Sequence, residues 1–139
     1  MFPLKTILVP TDFSELSAKA MRHAEQMARG SGAKLVVLHV DPPLLAFAKD
    51  SHDPTAHVER LRKQLNEIRP ANVAVEHRLL EGFAADSILQ TAHDLKADLI
   101  VIGTHGRTGV AQAFLGSVAQ SVLRGAHCPV LTINPTCAG

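Results

Sequence analysis

Apolar residues fall into two alternating patterns along the chain. Short continuous runs rich in Val, Ile and Leu occupy Thr6–Val9, Leu35–Val40, Leu99–Ile102 and Val130–Ile133. Runs of this length suit strands buried on both faces, as in a parallel sheet. Val73, Val75, His77 and Leu79 instead alternate with Ala74, Glu76, Arg78 and Leu80, which predicts a half-exposed strand at a sheet edge. Between the runs, apolar residues recur at helical spacing. Leu16, Ala20, Ala24, Met27 and Ala28 mark a first helix, with Ser14 as its N-cap and Gly30 or Gly32 as its stop. Val58, Leu61, Leu65 and Ile68 mark a second, opened by Asp53-Pro54 and stopped near Pro70. Ile88, Leu89, Ala92 and Leu95 mark a third, and Leu115, Val118, Ala119, Val122 and Leu123 a fourth. The predicted order is β-α-β-α-β-α-β-α-β, an α/β chain whose right-handed crossovers build a doubly wound sheet with helices on both faces. The irregular stretch Asp41–Asp53 reads as a mobile or partner-facing loop.

Ligands of doubly wound sheets sit beyond the carboxyl ends of the strands, where strand order reverses. That rule nominates Pro10-Thr11-Asp12, Val40-Asp41 and the segment from Gly103 onward. The last runs Gly103-Thr104-His105-Gly106-Arg107-Thr108-Gly109 and reaches Gly116-Ser117 at the head of the fourth helix. Glycines permit positive φ and let an anion approach bare main-chain N–H groups, and a helix start adds further donors and a positive dipole end. The residues alone leave two readings: a phosphate-binding turn, or a loop whose glycines only turn the chain and cap a helix.

Gly103, Gly106 and Gly116-Ser117 stand at the spacing G-2x-G-9x-G-(S/T). With the opening Ile7-Leu8-Val9-Pro10-Thr11-Asp12, the approach Asp98–Gly103 and the closing Cys128-Pro129-Val130-Leu131, the chain resembles the ATP-binding branch of the universal stress protein family over essentially its whole length. The expected fold is then one nucleotide-binding domain over residues 1–139, a five-stranded parallel sheet in the order 3-2-1-4-5. The resemblance implies ATP as ligand, with Asp12 beside the ribose, the backbone of Val40 on the adenine edge, and Gly103 and Gly106 along the ribose and α-phosphate. It puts Gly116, Ser117 and Val118 on the β- and γ-phosphates, and Pro10, Thr11 and Ile102 complete the expected site. Asp12 also reads as a helix-entry residue ahead of Ser14, and Arg107 as either a phosphate partner or a solvated loop arginine. His105 reads as a loop residue, and Ala84 stands where relatives often carry proline. An accompanying Mg2+ or Mn2+ is expected to be held mainly by phosphate oxygens and water, without protein side chains.

Composition narrows the rest. The 139 residues are 46% hydrophobic and 19% charged, with a formal net charge of +1, which offers no field for gripping nucleic acid or an acidic membrane. The five aromatic residues are all Phe, at 2, 13, 47, 83 and 114, too scattered for a base-stacking platform. No window resembles a signal peptide or a membrane span, so a cytoplasmic protein is expected. Cys128 and Cys137 are too far apart along an extended segment for a disulfide within one chain. His52, Asp53 and His57 are weak candidates for a metal site. The first turn lacks the dinucleotide glycine fingerprint, and no GxxxxGK[ST] string occurs. The expected function is a nucleotide-dependent regulator or sensor in stress response. A slow ATPase and a nucleotide-independent dimeric interaction module remain the alternatives, since no residue stands out as a base for hydrolysis. The resemblance further implies a homodimer paired through the C-terminal strand Pro129–Ile133.

Overall fold

The computed structural model describes residues 3–43, 53–105 and 115–138. The elements are β1 (Thr6–Pro10), α1 (Glu15–Ser31), β2 (Lys34–Asp41), α2 (Pro54–Asn66), β3 (Val75–Glu81), α3 (Ala84–Leu95), β4 (Leu99–Gly103), α4 (Ser117–Gly125) and β5 (Val130–Ile133). The strands form one sheet in the order β3-β2-β1-β4-β5, with every neighbouring pair parallel. The order and direction are those the apolar pattern and the resemblance lead one to expect.

Two apolar layers explain why the central runs are continuous. Ile7, Val9, Leu35, Val37, Leu99 and Val101 pack on one face against Ala20, Met21, Ala24 and Ala28 of α1. Leu8, Val36, Leu38, Ile100 and Ile102 pack on the other against Ile88 and Ala92 of α3 and Val122 of α4. Successive strand residues therefore enter opposite layers, and both layers exclude water. β3 lies at an edge and its residues are only half-buried, as its alternation predicts.

Several boundaries differ from expectation. β3 starts at Val75 rather than Val73, because Asn72 turns the chain through a left-handed conformation (φ 63°) just before it. Val73 still packs on the core from outside the strand. α2 ends at Asn66, well short of Pro70, as the Ile68 N–H closes a tighter turn on the Leu65 carbonyl. Of the two stops expected for α1, Gly32 is the one used: it adopts φ 78° and its N–H returns to the Ala28 carbonyl. Leu115 precedes α4, which begins at Ser117. At the front of α1, Ser14 Oγ accepts from the Ser17 N–H at 3.2 Å, the expected cap.

Two ties fix the ends. The Asp98 carboxylate accepts the N–H groups of Lys5 (2.8 Å) and Thr6 (2.9 Å), clamping the start of β1 beside that of β4. Beyond β5, Lys19 Nζ donates to the carbonyls of Pro135 (3.0 Å) and Cys137 (2.9 Å), holding the chain end across α1. Among the described residues, no helix is long and apolar enough to cross a membrane.

Candidate functional site

The carboxyl ends of β1, β2 and β4 and the first turns of α3 and α4 enclose a cavity of about 370 Å³. That volume lies within the usual range for small-molecule sites. The structure brings together there Pro10, Thr11 and Asp12 after β1, Val40 of β2, Ile102 and Gly103 of β4, and Gly116, Ser117 and Val118 at the head of α4. Gly106 and Arg107, the other two expected site residues, lie outside the described residues, as do most of Asp41–Asp53 and His52.

The cavity also has walls not anticipated as such. Leu38, Ile88 and Ala119 join Ile102 in its apolar lining, and His39, Thr104 and His105 add buried polar groups. Leu38 and Ile88 were legible as core residues, but nothing in the sequence separates a core position from a cavity wall. His105 lies in the loop after β4, as expected, and is buried there, with its Nδ1 2.8 Å from Thr104 Oγ1.

Gly116 is required by close approach. Its N–H donates to the Thr104 carbonyl at 2.6 Å, and a Cβ there would stand 2.9 Å from that same oxygen. The main chain before α4 is thereby pressed against the end of β4. This bond occupies the Gly116 N–H, so the donors expected of the helix start fall to Ser117 and Val118, whose first-turn N–H groups have no intrahelical acceptor. Gly103 is similarly hemmed in, with Leu16 Cγ 3.0 Å from where its Cβ would be.

Asp12 does serve the entry to α1, since its Oδ1 accepts from the Ser14 N–H at 3.0 Å. A carboxylate has acceptor sites to spare, and Asp12 also lines the cavity. Asp12 thus serves the helix entry and lines the cavity at once.

Val40 stands just past the last rung between β1 and β2. Even-numbered β2 residues bond to the β1 side, as with Lys34 N–H to the Lys5 carbonyl (2.9 Å) and Thr11 N–H to the Leu38 carbonyl (2.8 Å). Odd-numbered ones bond to β3, as with Leu35 N–H to the Ala74 carbonyl and Gly82 N–H to the Asp41 carbonyl (each 2.9 Å). The β1–β2 register ends at Pro10–Leu38. Both main-chain groups of Val40 thus face the gap beyond β1, at the cavity wall.

Among the described residues, no three His, Cys, Asp or Glu side chains are grouped to hold a metal ion. His57 lies 3.0 Å from Asp41 Oδ2 and joins the start of α2 to the end of β2.

A doubly wound parallel sheet with a lined cavity over its carboxyl edge, and a helix start at the rim, defines an α/β protein of the open-sheet class. Within it the chain belongs to the universal stress protein family, whose sequence profile matches residues 3–134. It is 36% identical to universal stress protein MJ0531 of Methanocaldococcus jannaschii, covering 94% of this chain and 82% of that one. Among solved structures it is similar to a universal stress protein in complex with cAMP (29% identity, TM-score 0.69, 95% of this chain and 98% of that one). It is also similar to the universal stress protein from Archaeoglobus fulgidus in complex with dAMP (27% identity, TM-score 0.66, 96% and 99%).

Proposed function

We propose that the chain binds an adenine nucleotide, ATP, in the cavity at the carboxyl edge, and acts as a nucleotide-dependent regulator or sensor in stress response. The observation that carries this reading is the convergence on one cavity of three complementary elements. Val40 offers a main-chain donor and acceptor, Asp12 a carboxylate, and α4 a helix start with Ser117 and Val118 N–H groups. An N–H and a C=O on one side of one residue match the N1 acceptor and 6-amino donor of adenine, and mismatch guanine. The carboxylate suits ribose hydroxyls, and the helix start suits phosphate. The cAMP and dAMP complexes of similar proteins support the same ligand class. Gly106 and Arg107 complete the proposed site, with Arg107 on phosphate; Mg2+ or Mn2+ travels with the nucleotide on its phosphates and water.

Binding rather than turnover is favoured because Asp12 is the one carboxylate among the described lining residues and already accepts from Ser14. Hydrolysis needs a base or a positioned water at the γ-phosphate. The partner is a second copy paired along β5, which lies at the sheet edge with Leu131 exposed. The test is incubation of purified protein with ATP, followed by denaturation and mass analysis of the released nucleotide. Bound ATP without ADP accumulation is the expected result; sustained ADP formation makes the protein an ATPase, and an empty cavity makes it an interaction module.

A further inference from the structure

The β1–β2 ladder stops where it has every geometric reason to continue. After Thr11 N–H to the Leu38 carbonyl, the parallel pattern calls for Val40 N–H to the Thr11 carbonyl and then Phe13 N–H to the Val40 carbonyl. Neither bond forms. The Thr11 carbonyl lies 2.7 Å from His39 Nδ1, and the Phe13 N–H donates to Thr11 Oγ1 at 3.1 Å. A carbonyl only accepts, so the imidazole proton sits on Nδ1 and His39 is the donor. The ring is nine-tenths buried and lies against Phe13, with centroids 4.4 Å apart. Phe13 itself is held at φ 65°, a conformation non-glycine residues rarely adopt.

We propose that His39 is a positioning residue that takes the place of Val40 on the Thr11 carbonyl, and so keeps the Val40 N–H open for the base of the bound nucleotide. Thr11, by taking the Phe13 N–H on its hydroxyl, does the same for the Val40 carbonyl. The two side chains end the ladder one residue early and turn a strand residue into a donor–acceptor pair selective for adenine over guanine, which rests on the adenine-nucleotide reading given above. Were the ladder to close, the base would meet a spent donor.

The claim has a test that needs no nucleotide. Amide hydrogen exchange on the ligand-free protein is compared for wild type, His39→Leu, which removes the donor at similar volume, and His39→Asn, whose amide reproduces the Nδ1 donor. The Val40 amide exchanges freely in wild type and His39→Asn, and slows at least about tenfold in His39→Leu, as its N–H gains the Thr11 carbonyl. A Val40 amide as protected in wild type as that of Leu38, or equal exchange in all three proteins, overturns the proposal. In calorimetry, His39→Leu loses about tenfold in ATP affinity with a narrowed preference for ATP over GTP, while His39→Asn stays near wild type. Equal losses in both variants also overturn it. If wild type binds no adenine nucleotide, the functional reading fails, and the exchange data still decide the ladder claim.

Discussion

The Gly116 main chain is packed so closely on Thr104 that even a methyl group must push the end of β4 or the start of α4 aside. Gly116→Ala should therefore cost about 1–3 kcal/mol in stability and displace the Ser117 and Val118 donors. Calorimetry should find at least a tenfold loss of ATP affinity in the folded variant. The need for a small residue here was legible from spacing, but its cause was not. The resemblance puts the Gly116 N–H on phosphate, whereas the fold spends it on Thr104, a neighbour known only once β4 and α4 are side by side. Val40, His39 and Thr11 teach the same lesson. The carboxyl-edge rule nominates Val40 and the resemblance gives its backbone a role, but the exchange of hydrogen-bond partners around it joins segments far apart in the chain and leaves no local pattern. At Cys128, burial and then the nearby Asp98 charge push the thiol up, so it stays protonated at neutral pH. Alkylation of Cys128 should accelerate only at a pH above that of a free cysteine; rapid labelling at pH 7 contradicts this.

At the scale of elements, α1 and β1 carry the most separable contributions. Ser14→Ala removes the cap on α1 and should cost about 1 kcal/mol in denaturant unfolding. Asp98→Ala releases two main-chain N–H groups at the start of β1 and should cost about 2 kcal/mol, with little effect on the distant cavity. On edge strand β3, the Glu76 carboxyl is held below the usual glutamate range by hydrogen bonds from Arg78 first and Lys34 second, against some desolvation. A lowered folded-state pKa stabilises at pH above the unfolded value, and that stabilisation disappears as pH falls through the folded one. Stability below about pH 4.3 should thus fall less steeply in Glu76→Gln than in wild type, by a small margin since the pair is half-exposed. The elements themselves were largely legible, because strands buried on two faces need unbroken apolar runs and helices need striped ones. The misplaced ends were those governed by single turns, as at Asn72 and at Ile68.

The whole molecule is a sheet with one edge at β3 and the other at β5. β5 is four residues long with Leu131 exposed, and it is the strand along which the proposed second copy would pair. If the proposed pairing holds, wild type has a dimer's mass in light scattering and Leu131→Lys a monomer's; equal masses would count against pairing along this strand. Dimer or monomer, the proposed function requires that a nucleotide enter the cavity over β1, β2 and β4 and touch its three sides together. Amide chemical-shift mapping during titration with Mg2+-ATP reads this directly. Nucleotide binding in this cavity should give saturable shifts concentrated at Asp12, Val40, Ser117 and Val118; no shifts, or shifts confined to other surfaces, would contradict it.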